Sequence, residues 1–353
     1  MRSILVIFFF LFLCGFIKEK EPTPYKFPEL KHFPAMPQSP SNPVTEEGAE
    51  LGRYLFYDTI LSGDRNLSCG SCHKQEFAFS DAPNAFSKGN VNELMKRNTP
   101  ALYNLAWYSS FFWDGRVATI EEQVLHPVRT KNELNLSWTE ATKRIQQNKF
   151  YMRAFKKAFG PATIDSTLIA KALGQFLRTL LSQNSKYDKA MRLEIKFNLD
   201  ELEGFELVND ATKANCQNCH TTDANALGTI GELSNNGLDS IMDPEKFKDK
   251  GLGNFSKKIS DNGKFKIPSL RNLLFTAPYM HDGRFKTIEE VLDFYSDGVK
   301  KCVNIDARMD FQHPKGAHLT KHEKKQIIAF LNTMNDSTFI SNPKFSDPFK
   351  KKM

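Results

Sequence analysis

The chain has 353 residues, of which 40% are hydrophobic and 25% are charged, a balance typical of globular proteins. The formal net charge is +7, but the lysine-rich stretches at residues 246–250 and 350–352 are typical of solvated surfaces. No arginine-rich arm or basic-aromatic block accompanies them, which excludes nucleic acid as the expected partner. This length allows a targeting segment and two domains of ordinary size.

An apolar run at residues 4–17 opens the chain and ends at Lys18. The run is too short for a comfortable membrane span and fits the core of a signal peptide. We therefore assign residues 1–20 to a signal peptide and expect an exported, periplasmic protein. Cys14 lies inside the run, and lipid on this cysteine would attach the protein to a membrane. Leu13 before it is not the small residue that a lipidation site favours, so both alternatives stay open.

The proline-rich stretch at residues 21–44 predicts an extended linker. Beyond it, apolar residues at helical spacing predict a first helix that Thr45 can cap and that runs through Tyr57. The same spacing predicts further helices at residues 138–159, 166–181, 201–212 and 321–334. No stretch shows sustained alternation of apolar and polar residues, as a half-buried strand would. The sequence therefore predicts an all-α chain.

Three short motifs occur twice in the chain at one constant spacing. The pairs are residues 100–105 with 268–273, 113–116 with 281–284, and 119–122 with 287–290. The offset is 168 residues in every pair. Two copies of one unit indicate a duplicated domain, not a solenoid. We expect the first unit at residues 45–190 and the second, with a tail, at residues 191–353.

Two Cys-x-x-Cys-His sites occur, one in each unit. They comprise Cys69, Cys72 and His73 in the first unit and Cys216, Cys219 and His220 in the second. In such a site two thiols add to the vinyl groups of haem, and the adjacent histidine binds the iron from one side. A redox or zinc site is the alternative. Two matches, each behind a predicted helix of a repeated unit, favour two covalently bound c-type haems.

The sixth ligand of each iron decides whether a haem transfers electrons or binds a small molecule. Tyr295 in the second unit corresponds to Pro127 in the first at the 168-residue offset. Tyrosine can ligate iron and proline cannot, so we expect the first haem to lack a protein ligand at this place. Two alternatives stay open. In the first, Tyr295 does not bind iron and is a packed tyrosine whose hydroxyl is hydrogen-bonded. In the second, His126 reaches the first iron.

Four further motifs lie in and around the repeats: Arg97-Asn98-Thr99-Pro100, Phe112-Trp113-Asp114-Gly115-Arg116, Glu121-Glu122-Gln123 and Ala277-Pro278-Tyr279-Met280-His281-Asp282-Gly283-Arg284. With these motifs the sequence resembles the bacterial dihaem cytochrome c peroxidase family, which includes the MauG-type enzymes. The resemblance runs from about residue 46 to residue 334. It implies two cytochrome c-like haem domains, with a peroxide-reacting N-terminal haem and an electron-accepting C-terminal haem.

The resemblance also implies roles for individual residues. Glu133 matches the distal acid that moves a proton between the peroxide oxygens. Gln123 matches a distal hydrogen-bonding amide, and Trp113 matches the tryptophan between the haems. The positions around an inter-haem calcium ion, where backbone carbonyls suit a hard cation, match Asn98, Thr276 and Pro278. Without the resemblance, a surface carboxylate, a polar group on a helix face and a core tryptophan would be the plainer interpretations.

Two features depart from the pattern of many family peroxidases. Residues 74–99 contain no histidine, whereas those peroxidases place one there that blocks the iron until the enzyme is half-reduced. Tyr295 stands where their electron-transfer haem has a methionine ligand, as in MauG-like members. A tyrosinate ligand should lower the potential of that haem relative to methionine. Both departures bear on how the enzyme is activated and which donor it uses.

We therefore expect an exported dihaem peroxidase that reduces hydrogen peroxide to water with electrons from a small cytochrome c or a copper protein. The first rival is a MauG-like oxidase that acts on a protein side chain. The second rival is a non-enzymatic electron carrier with both haems closed, which an open N-terminal haem would exclude. A homodimer is compatible with each of these readings.

Overall fold

The computed structural model describes residues 21–221, 227–310 and 316–350, so the predicted signal peptide and Cys14 lie outside the described residues. Its α-helices are α1 (Glu46–Tyr57), α2 (Cys69–Cys72), α3 (Ile120–Arg129), α4 (Trp138–Gln147), α5 (Lys149–Phe159), α6 (Ser166–Thr179), α7 (Lys186–Met191), α8 (Leu199–Asn209), α9 (Gly253–Ser256), α10 (Ile288–Asp293), α11 (Ala307–Asp310), α12 (Lys321–Thr333) and α13 (Ser337–Ile340). Two short antiparallel strands, β1 (Leu233–Ser234) and β2 (Phe265–Lys266), form a small pair. None of these helices has both the length and the apolar character needed to cross a membrane.

The prediction of a mostly helical chain is confirmed, with differences in detail. The segment predicted as one helix over residues 138–159 is two helices, because Asn148 ends α4 and its side chain accepts N–H bonds from the start of α5. The small strand pair was not expected. Helices α3 and α10 were also not predicted, although Thr119 and Thr287 cap them in the same way. These two threonines are equivalent at the 168-residue offset.

One type of helix crossing occurs twice in the fold. Gly52 of α1 packs against the backbone of Ala172 in α6, and Gly204 of α8 packs against Gln326 in α12. A β-carbon added at either glycine would lie 2.0 Å from the facing carbonyl oxygen. Only glycine therefore allows each pair of helices to approach this closely. Helix α1 also contacts α2, and α8 also contacts the turn at Cys216–Asn218, so each crossing adjoins one Cys-x-x-Cys-His site.

The segments near the two ends of the described chain cross over to the more distant unit: the C-terminal segment packs on the first unit, and the proline-rich segment packs on the second. Phe339 and Phe345, near the C-terminal end, are buried in the core formed by α1 and α3–α6. Phe33, in the proline-rich stretch, is buried in the core formed around α8 and α12. Asn42 of the same stretch donates a hydrogen bond to Glu121 at 2.6 Å. The stretch predicted as a linker is therefore extended but held against both cores.

The repeated motifs meet where the two units contact each other. Tyr103 and Arg271, equivalent at the 168-residue offset, are joined by a 2.6 Å hydrogen bond from the tyrosine hydroxyl to the arginine carbonyl. The next residue in each copy, Asn104 and Asn272, has a left-handed backbone with φ of 54° and 59°. The two copies of the motif thus adopt the same local conformation and lie side by side at the interface.

Candidate active site

The first Cys-x-x-Cys-His site is formed by a single helical turn and the residue that ends it. A capping box between Ser68 and Ser71 starts α2, and His73 ends it. The His73 ring nitrogen Nδ1 lies 2.7 Å from the carbonyl oxygen of Phe79. A carbonyl can only accept, so Nδ1 carries the proton and Nε2 presents a free lone pair. His73 is therefore oriented as a ligand for an iron ion.

The second site repeats this arrangement. His220 Nδ1 lies 3.2 Å from the carbonyl oxygen of Gly228, which again leaves Nε2 free. The backbones of Pro100 and Pro268, equivalent at the 168-residue offset, also interact with the rings of His73 and His220 respectively. Burial lowers the pKa of His73, and it lowers the pKa of His220 to about 4. Both imidazoles are therefore neutral near pH 7, as an iron ligand must be.

The four cysteines of these sites are poorly suited to redox exchange and, within the part of the chain that the structure describes, lack the further ligands of a zinc site. Burial raises the pKa of Cys69 and of Cys216 to about 12 in each case, and it also raises the pKa of Cys72 and Cys219. Redox cysteines require the thiolate, which this environment disfavours. In the described parts of the chain, no group of three or more His, Cys, Asp or Glu side chains could hold a metal ion. Neutral thioether sulfurs fit the same surroundings.

A cavity of about 300 Å³ adjoins the second site and extends to the interface between the units. Its lining includes Cys216, Cys219, His220 and Tyr295 of the second site. It also includes the residues expected between the haems, which are Trp113, Asn98, Thr276 and Pro278. The structure thus brings together most of the predicted residues of the second site and of the inter-haem region.

Tyr295 points its hydroxyl into the second site. The hydroxyl accepts a 3.0 Å hydrogen bond from the side-chain amide of Asn236. Burial raises the pKa of Tyr295 to about 12, and the neighbouring Cys219 and Cys216 contribute to the increase. The amide of Asn236 also lies 3.7 Å from the sulfur of Met280. Sequence reasoning missed Asn236, because it lies outside every motif and far from Tyr295 in the chain.

Glu133 lies near the first site, just beyond the end of α3. Burial raises the pKa of its carboxyl, and the charge of Arg116 offsets part of this increase. The charge of Glu133 in turn makes a small contribution to the raised pKa of Cys69 and of Cys72. The carboxyl therefore lies within electrostatic range of both sulfurs. Gln123 is half-buried in α3, which precedes Glu133.

His126 belongs to the same cluster. Its ring packs edge-on against Phe112 with the centroids 5.5 Å apart, and the guanidinium of Arg116 lies 3.3 Å from the centroid of that phenylalanine. Burial, followed by the charges of Arg129 and Arg116, lowers the pKa of His126. The histidine is therefore neutral near pH 7 and free to act as a base or a ligand. The charge of Arg116 acts on both His126 and Glu133.

Trp113 joins the two units at their interface. Its indole N–H donates a 2.8 Å hydrogen bond to the carbonyl of Asn98, whose own N–H donates to the carbonyl of His281 at 2.7 Å. The Trp113 and His281 rings are 6.5 Å apart, and His281 stacks on Phe265 at 3.6 Å. Two motifs that are distant in sequence are thus connected by adjacent rings, through one edge-on contact and one stacked contact.

The residues predicted around a calcium ion line the same cavity. The side-chain N–H of Asn98 donates to the carbonyl of Ala85 at 3.1 Å, so the side-chain oxygen of Asn98 is not used in this hydrogen bond. Thr276 and Pro278 lie on the loop that leads to His281. Their carbonyl groups are the type of neutral oxygen donor that calcium accepts.

The chain is similar to known proteins in sequence and in fold. The profile of a family described as di-haem cytochrome c peroxidase matches residues 46–196. Methylamine utilization protein MauG of Methylophilus methylotrophus is 31% identical over 312 residues, which cover 87% of this chain and 88% of that protein. Cytochrome c551 peroxidase of Nitrosomonas europaea is 30% identical over 304 residues, which cover 85% of this chain and 84% of that protein. The crystal structure of a MauG-like protein associated with microbial copper homeostasis has a TM-score of 0.84 and 32% identity, covering 92% of this chain and 100% of that one.

Proposed function

Because the chain belongs to the di-haem cytochrome c peroxidase family, and is thus an oxidoreductase that holds two haems, we propose that it reduces hydrogen peroxide to water. Its electrons would come from a small cytochrome c or a copper protein outside the cytoplasm. The observation that carries this proposal is the difference between the two sites. A half-buried tyrosine, Tyr295, faces the second site, whereas a half-buried carboxyl with a raised pKa, that of Glu133, lies near the first.

Each Cys-x-x-Cys-His site would hold one covalently attached haem c, with His73 and His220 as the proximal ligands. Support comes from the orientation of both rings and from the raised pKa of all four thiols. In this proposal residues 45–190 and 191–353 are two cytochrome c-like domains related by duplication. The paired helix crossings and the matching backbone of the repeated motifs favour it. A bound haem with a free axial position supplies the redox chemistry of peroxide cleavage.

The roles of the two sites follow from the residues on their open sides. Tyr295, held by Asn236, would close the second site and suit it to electron transfer. The first site has Pro127 at the equivalent position, which offers the iron no ligand. An open first site disfavours the non-enzymatic electron carrier.

Glu133 would be the proton shuttle of the first site. Peroxide cleavage requires a group that takes a proton from one oxygen and delivers it to the leaving oxygen. Burial moves the pKa of Glu133 upward, towards the range in which a carboxyl can both bind and release a proton. Gln123 would orient the substrate through its amide. The half-buried position of Glu133, under the charge of Arg116, supports a catalytic carboxyl over a surface one.

Trp113 would carry electrons between the haems, since it lines the cavity of the second site and contacts the interface through Asn98. A calcium ion held by Asn98, Thr276 and Pro278 would fix this junction. We also propose that residues 1–20 direct export to the periplasm, with lipid on Cys14 as the alternative to cleavage.

The rival with a specific observation in its favour is a MauG-like oxidase that acts on a protein side chain. The position of Tyr295 in the second site supports it, as does the similarity to proteins named MauG. A steady-state assay with hydrogen peroxide and a reduced small cytochrome c, repeated with a reduced copper protein, separates the two functions. Rapid turnover with either donor supports the peroxidase. Reaction with peroxide but negligible turnover with both donors favours the oxidase.

A further inference from the structure

Lys266, on β2, brings a positive charge to the cavity of the second site. It lines this cavity together with Cys219, His220 and Trp113. Its position is set by the backbone, because its N–H donates a 2.7 Å hydrogen bond to the carbonyl of Trp113. The backbone of Lys266 thus lies at the junction between the two units.

The amine of Lys266 has no acidic partner among the described residues. It packs over the ring of Tyr108, 4.5 Å from the ring centroid. Burial lowers its pKa to about 8, and no neighbouring charge compensates for the burial. Lys264, two residues earlier, differs in this respect because its amine forms a 3.0 Å ion pair with Asp261. Lys266 is half-buried, and an ammonium group partly withdrawn from water without a counter-charge is costly, which points to an anion that completes the site.

The position of the amine in the cavity indicates which anion this is. A c-type haem is attached to its cysteines through the vinyl edge of the porphyrin, and its two carboxylates lie at other positions on the ring. The charges that shift the pKa of Cys219 are those of Arg308, Asp306 and Glu232. The charge of Lys266 is not among those that shift the pKa of Cys216 or Cys219, which fits an amine near the carboxylates and not near the sulfurs.

We propose that Lys266 binds a propionate carboxylate of the second haem. This inference rests on the proposed attachment of a haem at Cys216 and Cys219. The equivalent residue of the first unit, at the 168-residue offset, is Asn98, which carries no charge. The equivalent position of the first unit therefore cannot form this ion pair. A cation at the propionate favours the reduced iron and opposes the effect of the tyrosinate ligand on the potential.

The test is a spectroelectrochemical titration of both haems in the holoprotein, with haem content measured on the same samples. Lys266→Met keeps the length of the side chain and removes its charge. We expect the equilibrium constant for reduction of the second haem to fall about tenfold, a shift of about 59 mV for a one-electron couple. The first haem should be unaffected. Lys266→Arg should restore the wild-type value.

Lys264→Met is the matched control, because it removes the same charge from a residue that already has an acidic partner. It should leave both potentials unchanged. Lys266→Gln keeps a hydrogen-bond donor without the charge, and it should lower the potential as Lys266→Met does. Unchanged potentials in Lys266→Met and Lys266→Gln, with both haems attached, would overturn the inference. A wild-type protein with fewer than two attached haems would instead contradict the proposed function.

Discussion

Replacing Glu133 by glutamine removes the titrating proton and keeps the size of the side chain. The Glu133 side chain forms no hydrogen bond or ion pair with another described residue, and its known electrostatic neighbour is Arg116. Glutamine has nearly the same size, so the packing beside α3 should be retained. The loss should therefore come from the missing proton transfer. Removal of one catalytic proton group costs roughly 10²–10⁴ in rate, or about 2.7–5.4 kcal/mol of transition-state stabilisation.

The assay is turnover of hydrogen peroxide with a reduced donor, combined with haem content by absorbance. Glu93→Gln is the matched control, since it makes the same change at an exposed carboxylate. It should retain wild-type turnover. Glu133→Gln with both haems attached and turnover within a factor of about three of wild type would refute the catalytic role.

The same substitution has a stability consequence with a defined sign. Burial raises the pKa of Glu133 in the folded protein above its unfolded value. A raised carboxyl pKa stabilises the fold at pH values below the unfolded pKa, and this contribution is lost as the pH rises through the folded pKa. We therefore expect Glu133→Gln to gain stability relative to wild type as the pH rises from 4 towards 7. Thermal unfolding of both proteins at several pH values measures the difference in their stability. A difference that does not change with pH would contradict the burial argument.

Three further expectations concern the cofactors. Mass spectrometry of the denatured protein should show two haem additions, and one or none would end the dihaem assignment. A chelator should lower activity or disturb inter-haem electron transfer, whereas indifference together with no metal on analysis would remove calcium. Asn236→Leu removes the hydrogen bond to the Tyr295 hydroxyl, so the ligand should become a stronger donor and the potential of the second haem should fall. An unchanged potential and spectrum of that haem would indicate that Tyr295 is a packed residue.

The local parts of the fold and site could be predicted from the sequence, and the long-range parts could not. The Cys-x-x-Cys-His sites and the constant offset are short patterns whose chemistry is set within a few residues. Helix α1, with its threonine cap, is likewise a local feature. The contact of Asn236 with Tyr295 joins positions that no sequence pattern connects. The break at Asn148 was missed because the apolar spacing continues across it, and only the capping hydrogen bonds reveal the new start.

The packing of the chain ends shows the same limit. A proline-rich composition predicts an extended backbone but says nothing about what the backbone lies against. Phe33 enters the core around α8 and α12, and Phe345 enters the core around α1, through contacts made only in the folded chain. Lys266 is similar, because a lysine in a two-residue strand gives no sign that its amine faces a cavity.

The most direct test is electron paramagnetic resonance of the fully ferric protein, followed by mixing with hydrogen peroxide without prior reduction. In the proposed arrangement, Pro127 and the absence of histidine from residues 74–99 would leave the first iron without a strong sixth ligand. We predict one high-spin and one low-spin signal, ready uptake of cyanide and prompt reaction with peroxide. Two low-spin signals, with no reaction until an electron is added, would contradict an open first site. If His126→Ala then produced the high-spin signal, His126 would be the ligand that closes it.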